Sequence, residues 1–452
     1  MSQIDPVTTS NQTAPRGLWW VSPAGAVAFV VIPTILLAAY ISDAAFRSSW
    51  GTPKYFTGAF TILLLQGAGI FMATSGIPLW RTDRKPELSP WPGLSKQTVD
   101  RLVAASNVLF WATMFGYAAF GVVGILRGAR PAMFLDVLIS QNNLSGDLKT
   151  LFAPVSGVTT LTQVGVAYVV VAVVVLLHRK QPKLKRRIGI LIGLALMRAF
   201  FLTERLAILE VIIPVVVLLA VVWAGHPRYG IRAAIRWAPV VLVPAAIAIF
   251  AVFEYSRSWN FYQAKTGGSF IDFAIDRFAG YYATAYNNGS IAMDYETIPG
   301  RLPLRTLEAF WDAPVLSQLN LYDRLSPAGD GNFKELLVQY GNPEFNNPSG
   351  MFDPFVDYGH LGGLIWFAVA GLILGLIYRY FTGGATWAVL IYPIMVTGLL
   401  ELPRYMYWTQ GRVLPAIVAL LAVAWYATQS PDQDKDPVER EHSLTAPARG
   451  EP

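Results

Sequence analysis

Charged side chains interrupt long apolar sequence at two places in this chain. In the stretch from Ile188 to Gly225 and in the segment from 401 to 412, the only charged residues are Arg198, Glu204, Arg205, Glu210, Glu401, Arg404 and Arg412. A charged side chain at the centre of a bilayer costs at least about 2.5–3.5 kcal/mol. We therefore expect these residues to face a cavity or one another rather than lipid.

Clustered arginines at the edge of a membrane suit a phosphate or pyrophosphate group. The guanidinium group stays charged and donates a planar fork of hydrogen bonds to phosphate oxygens. This chemistry predicts a pyrophosphate site that contains Arg198, Arg205, Arg404 and Arg412. The alternative is structural: Arg205 pairs with Glu204 or Glu401, and Arg404 anchors the chain at the interface.

A polar segment from Gly341 to Gly359 leads into a long apolar stretch. It is rich in Asn, Pro, Gly and Ser, and it contains the carboxylates Asp353 and Asp357. Such side chains close to a membrane suit sugar hydroxyls. A Pro- and Asn-rich turn that caps the following helix would have the same composition, so both interpretations stay open.

The composition predicts the elements that must position these residues. Of 452 residues, 54% are hydrophobic and only 14% are charged, whereas soluble domains carry about 25% charged residues. Uncharged windows such as 17–42, 55–80 and 102–126 exceed the length of about 20 helical residues that crosses a bilayer. We predict an all-α polytopic membrane protein with about ten transmembrane helices and one large, partly helical extracytoplasmic loop. The helices are predicted at roughly 21–42, 56–79, 103–126, 159–177, 188–203, 206–225, 239–253, 360–381, 386–403 and 411–428.

Basic loops set the predicted orientation, because loops rich in Lys and Arg stay in the cytoplasm. The basic segments 81–101, 178–187 and 228–236 fall on one side, together with both termini, if the chain crosses the membrane ten times. The predicted division is a cytoplasmic tail at 1–17, seven transmembrane helices within 18–253, a large periplasmic loop at 254–358, three more helices within 359–428 and a disordered cytoplasmic tail at 429–452.

Several other chemistries are disfavoured. The chain has no cysteine and four histidines, and only His360 falls outside the cytoplasm in this orientation, so neither a Ser-His-Asp triad nor a His-ligated metal is expected. No Gly-rich phosphate loop or dinucleotide fingerprint is present. The net charge of +6 is explained by the basic cytoplasmic loops, so nucleic-acid binding is not predicted.

Several motifs occur in a characteristic order. Leu202 to Glu210 places an Arg at the start of an apolar helix, Arg277 to Tyr282 is followed by Asn287-Asn288, Asn347 to Gly362 ends a polar loop in a Gly-x-x-Gly helix, and Glu401 to Arg412 adds two arginines. Together these motifs, over about residues 155–425, resemble the oligosaccharide repeat-unit polymerases, the Wzy-type O-antigen polymerase family.

The resemblance implies an activity. In this family, undecaprenyl-pyrophosphate-linked repeat units are polymerised by glycosyl transfer on the periplasmic face of the bacterial inner membrane, for O-antigen, capsule or exopolysaccharide. It implies a metal-independent glycosyltransferase without a cofactor. The implied partners are the lipid-linked glycan donor and acceptor, the lipid bilayer and a chain-length-regulating membrane protein, with no nucleic acid.

The resemblance also assigns roles to residues. A carboxylate takes the proton of the acceptor hydroxyl, and the candidates are Glu204, Glu401, Asp353 and Asp357. The pyrophosphate is bound by Arg198, Arg205, Arg404 and Arg412. Sugar contacts are expected from Arg277, Tyr281, Asn347, Ser349 and His360.

Two other functions stay open. A transporter or flippase of lipid-linked oligosaccharide would more often have short loops and a repeated core, so the large loop favours the polymerase. An O-antigen ligase would use the same donor, but the related ligases carry a loop histidine where this chain has Asn347.

Overall fold

The computed structural model is helical throughout the part of the chain that it describes. The described residues are 18–80, 94–139, 144–155, 157, 159–202, 204, 206–226, 228–255, 259, 262–263, 268–296, 302–326 and 333–429. Helices and turns account for these residues without any β-strand. The predicted all-helical class is thereby confirmed.

The helices are named here in chain order. They are α1 (Pro23–Tyr40), α2 (Asp43–Trp50), α3 (Gly58–Trp80), α4 (Lys96–Leu126), α5 (Pro131–Ile139), α6 (Leu144–Leu151), α7 (Val164–His178), α8 (Pro182–Phe201), α9 (Leu206–Ala224), α10 (Tyr229–Arg236), α11 (Ala238–Glu254), α12 (Phe270–Tyr295), α13 (Glu308–Trp311), α14 (Pro314–Gln318), α15 (Leu321–Leu325), α16 (Phe333–Tyr340), α17 (Asp353–Thr382), α18 (Thr386–Glu401) and α19 (Leu414–Thr428).

Several of these helices suit a membrane. Among the described residues, α1, α3, α4, α7 with its preceding turn, α9 and α17 are long and apolar enough to cross one, which makes six. The pair α10 and α11, bent by 53°, would be a seventh span, and α18 and α19 are apolar but shorter. The structure therefore fits a polytopic membrane protein. Helices occupy all ten predicted segments, but ten crossings and the extracytoplasmic loop stay predictions.

Three helices begin earlier than predicted, and the first turns of two of them, α4 and α8, are polar. Helix α4 begins at Lys96 rather than near residue 103, after Ser95, whose hydroxyl accepts a hydrogen bond from the Thr98 N–H. Helix α8 begins at Pro182, a residue that favours the first helical position. Helix α17 begins at Asp353 and is kinked at Gly359, where φ is 70°.

Among the described residues, helices α3 and α17 form the most extensive helix–helix contact. Gly371 and Gly375 lie one turn apart on α17, as in the small-xxx-small pattern of membrane helices. A Cβ atom at Gly371 would lie 2.4 Å from the carbonyl oxygen of Phe71, and one at Gly375 would lie 2.3 Å from that of Ser75. The two backbones therefore pack directly against each other. Helix α7 lies in a separate hydrophobic cluster, where every residue from Val164 to Val175 is buried.

The bundle has two distinct ends. At one end, Arg179 forms an ion pair with Asp100 over 2.9 Å, and the Trp19 indole donates a hydrogen bond to the Arg236 carbonyl. Because successive helices reverse direction, the turns that follow α8 and α18 lie at the other end. We call these the Arg179 end and the Arg404 end. The arginines predicted to bind pyrophosphate, where described, lie at the Arg404 end.

Candidate functional site

The turn after α18 presents the first arginine of the site. Glu401 ends the helix, and its carbonyl accepts hydrogen bonds from the backbone N–H groups of Arg404 and Tyr405, over 2.8 and 3.0 Å. This tight turn brings Arg404 Nη1 within 2.9 Å of the Glu401 carboxylate. The Arg404 guanidinium also lies over the ring of Tyr281, 5.3 Å from its centre. The structure thus brings together three residues predicted for the site.

Arg412 pairs with a carboxylate from another helix. Its Nη2 donates a hydrogen bond of 2.9 Å to Glu210 on α9, and its Nε lies 2.9 Å from the other carboxylate oxygen at an angle unsuited to a hydrogen bond. Glu210 is 2% exposed. Sequence reasoning singled out Glu210 as a charge in apolar sequence but gave it no role, because its partner lies far along the chain.

Arg198 occupies the third corner of the site. Near the end of α8, it forms an ion pair with Glu204 and donates a hydrogen bond of 3.3 Å to the Thr162 hydroxyl. The Phe120 ring lies 5.3 Å from its guanidinium. Arg205 lies outside the described residues, so the structure does not address its predicted role.

Electrostatic contacts join these three pairs into one group. Tyr405 interacts with Glu401, Arg404, Arg412 and Glu210, and Arg412 interacts with Glu204. We call Arg198, Glu204, Glu210, Glu401, Arg404, Tyr405 and Arg412 the arginine cluster.

The arginine cluster keeps unused hydrogen-bond donors. Among the described residues, no acceptor reaches the Nε atoms of Arg198 and Arg404 or the hydroxyl of Tyr405, although all three atoms are buried. Buried polar groups are nearly always satisfied. Donors that converge without acceptors are typical of a site for an anionic ligand.

The polar loop before α17 packs against the Arg404 turn. The Ser349 N–H donates a hydrogen bond of 2.8 Å to the Arg404 carbonyl, and a Cβ at Gly350 would lie 2.5 Å from the Met406 nitrogen. Ser349 is fully buried in the left-handed region (φ 60°), and its hydroxyl has no hydrogen-bond partner among the described residues. The carbonyl of Asn347 accepts a hydrogen bond of 3.1 Å from the Asn288 side chain. The loop predicted to contact sugar therefore adjoins the arginine cluster.

A second set of ion pairs connects Arg305 to the start of α17. Arg305 donates hydrogen bonds to Asp353, over 3.1 Å, and to Glu296, over 2.6 Å. The Arg305 carbonyl accepts a hydrogen bond of 3.1 Å from Thr409, which connects this group to the Arg404 turn. Arg305 was not predicted from the sequence. The signal that could have indicated it is that Arg305 is one of few basic residues in a segment that is mainly acidic.

Asp357 is occupied by backbone contacts. Its two oxygens accept four hydrogen bonds of 2.6–3.2 Å, from the backbone N–H groups of residues 304–306 and from the Thr306 hydroxyl. This carboxylate therefore holds the 304–306 segment on α17. Its predicted role as a base is untested, and the geometry favours the anchoring role.

Arg277 approaches the arginine cluster through the Tyr281 ring, whose centre lies 6.0 Å from its guanidinium and 5.3 Å from that of Arg404. Arg277 is 5% exposed, stacks 4.6 Å from the Phe345 ring and pairs with Glu254, over 3.2 Å, and with Glu344. Glu254, Glu344 and the Tyr262 hydroxyl accept hydrogen bonds from three of the five guanidinium N–H groups. His360 is exposed, with its ring 6.3 Å from that of Phe355. Their predicted sugar contacts stay predictions.

Within the described residues, no group of three or more His, Cys, Asp or Glu side chains is arranged to hold a metal ion.

Comparison with known proteins adds no relative. No protein family, curated protein or solved structure matches this chain.

Proposed function

We propose that this chain is a membrane glycosyltransferase that polymerises undecaprenyl-pyrophosphate-linked oligosaccharide repeat units, with the pyrophosphate bound at the arginine cluster. One observation carries the proposal. Three arginines from two helical hairpins converge at one end of a membrane-type bundle, and two of them keep buried Nε–H groups without an acceptor among the described residues. A diphosphate supplies many acceptor oxygens for such donors.

The proposed reaction needs a stabilised leaving group. The acceptor hydroxyl attacks the anomeric carbon of the donor glycan, the bond to the diphosphate breaks, and the diphosphate leaves with the electron pair. Arg404 and Arg412 then offset the charge that develops on its oxygens. Fixed donors in a site that excludes water are effective because they need no reorganisation during the reaction.

The same reaction needs a base beside the cluster. Asp357 is occupied by four hydrogen bonds, and Asp353 is 4% exposed and held by Arg305. Of the two candidate carboxylates that touch the arginines, Glu204 has the more exposed side chain, 18% against 6% for Glu401. We assign the proton transfer to Glu204 and the positioning of Arg404 to Glu401.

A lipid tail has a route to this site along α11. The consecutive residues Val240 to Val243 are all exposed, by 39–69%, and four consecutive residues cover every face of a helix. Lipid can therefore surround this part of α11. Further along the helix, Phe250 packs 5.2 Å from Tyr281, the ring that lies beneath Arg404. This arrangement supports a lipid-linked substrate whose headgroup reaches the arginine cluster.

The first test is complementation of a polymerase-deficient bacterial strain. The wild-type chain should restore a ladder of glycan lengths on a gel, whereas Arg404→Ala should leave a single repeat unit at normal membrane levels. Arg379→Ala is the matched control, because Arg379 is an exposed arginine in the last turn of α17, at the Arg179 end. A full ladder from Arg404→Ala would refute the assigned role of the arginine.

A second test separates the polymerase from the alternatives. Purified protein in detergent is given the lipid-linked repeat unit as the only substrate. A polymerase lengthens the glycan on its lipid, whereas a flippase leaves it unchanged and a ligase needs a different acceptor. Unchanged glycan with the repeat unit of the native pathway would overturn the proposal.

A further inference from the structure

A buried arginine without a described carboxylate partner lies at a second place in the bundle, nearer the Arg179 end. Arg187 is in the second turn of α8 and is 6% exposed. It shares the buried face of that helix with Leu184, Leu191 and Arg198. At 1.5 Å per residue, the backbone at Arg187 lies roughly 16 Å along the helix from Arg198. Arg187 is therefore separate from the arginine cluster.

The described contacts of Arg187 do not neutralise its charge. Its Nη1 donates a hydrogen bond of 2.6 Å to the Asn107 side-chain oxygen, and the Phe110 ring lies 4.3 Å from the guanidinium. Among the residues that the structure describes, no carboxylate forms an ion pair with it. Arg198, Arg404 and Arg412 each have such a partner. A buried cation without a compensating anion is strongly unfavourable.

A second unsatisfied group lies beside Arg187. Tyr168 on α7 is fully buried, and within the described part of the chain its hydroxyl has no hydrogen-bond partner. Arg187 lies within range of this hydroxyl both as a charge and as a hydrogen-bond donor, so the proton of the hydroxyl is the part that lacks a partner, and the Tyr168 ring packs 5.5 Å from that of Phe110. The guanidinium carries donors only, and the hydroxyl has a proton to donate. The missing partner must therefore accept hydrogen bonds.

We propose that Arg187 and Tyr168 bind a small inorganic anion, of the size of chloride, inside the helix bundle. The anion balances the charge of the buried guanidinium and accepts a hydrogen bond from the Tyr168 hydroxyl.

The test is the anion dependence of thermal stability for the full-length protein in detergent. Melting temperatures are compared in sodium chloride and in sodium gluconate at equal ionic strength. A ligand at about ten times its Kd raises Tm by roughly 1–2 °C in a protein of this size. We expect that rise, saturable in chloride, for the wild type and for Arg186→Met, a control that removes an exposed charge from the neighbouring position. Arg187→Met should lose the rise, and Tyr168→Phe should shift it to higher chloride concentrations.

Two results would overturn the proposal. The first is a wild-type Tm that is the same in both salts, and the second is a chloride-dependent rise that persists in Arg187→Met. If Arg187→Met does not fold, the test is anomalous diffraction from wild-type crystals soaked in bromide. An anomalous peak beside the Arg187 guanidinium and the Tyr168 hydroxyl supports the site, and its absence refutes it.

Discussion

Arg404 has two separable contributions, one to folding and one to the proposed chemistry. Arg404→Gln removes the 2.9 Å partner of Glu401, which is 5% exposed. Breaking a buried ion pair costs about 3–5 kcal/mol. The Arg404 side chain is 23% exposed, so solvent screening reduces the expected loss of stability to about 1–3 kcal/mol. Lost activity in this variant alone would not distinguish the two contributions.

The double variant Arg404→Gln with Glu401→Gln separates them. It removes both charges while keeping side chains of similar size and polarity, so we expect a Tm close to that of the wild type. It also removes one charged donor to the leaving diphosphate. Losing one such donor costs about 2.7–4 kcal/mol of transition-state stabilisation, which is roughly 100- to 1,000-fold in rate. Glu401→Gln alone should retain more activity, because the proposed base is Glu204.

The assay measures the rate of glycan elongation at equal amounts of folded protein. Each variant is purified in detergent, its Tm is recorded, and the products are resolved as a ladder over time. A double variant that recovers stability and elongates at the wild-type rate would refute the role of Arg404. A stable but slow double variant would support it.

Three further predictions concern the surroundings of the site. Burial, together with Asp353 and Asp312, raises the pKa of Glu308 from 4.5 to about 7, so its protonated form favours the folded state. The free energy of unfolding should therefore fall as the pH rises from about 4.5 to 7, and Tm should drop more from pH 5 to pH 8 in the wild type than in Glu308→Gln. Equal drops would contradict this. Gly375→Leu should lower the level of folded protein in membranes, since a Cβ there would lie 2.3 Å from the Ser75 carbonyl oxygen, whereas Gly76→Ala, where a Cβ meets open space, should not; equal levels would argue against the close α3–α17 contact. A topology reporter fused after Leu319 should be active outside the cytoplasm and one fused after Lys183 inside, and the reverse pattern would overturn the orientation.

Helix positions were largely predictable from hydropathy, because long uncharged windows have few other outcomes. The polar first turns of α4 and α8 were not, since hydropathy carries no signal for them. Asp353 to Tyr358 was predicted as loop, yet it is helical up to the kink at Gly359. A hydropathy window averages over all faces of a helix. It therefore misses a helical turn that is apolar on only one face.

The membership of the arginine cluster was partly predictable, but its pairings were not. Isolated charges in apolar sequence indicated Arg198, Arg404 and Arg412. That Arg412 pairs with Glu210, on a helix distant in sequence, depends on how α9 and the turn after α18 pack together. Arg277 was assigned to sugar because of its motif, whereas its two carboxylate contacts follow from the tertiary structure.

The three described pairs make the arginine cluster formally neutral before any substrate arrives. Arg198 with Glu204, Arg412 with Glu210 and Arg404 with Glu401 cancel one charge each. A multiply charged guest must therefore compete with glutamates already in place. Its arrival would displace a carboxylate from its arginine, so substrate entry and the rearrangement of a glutamate side chain would occur together.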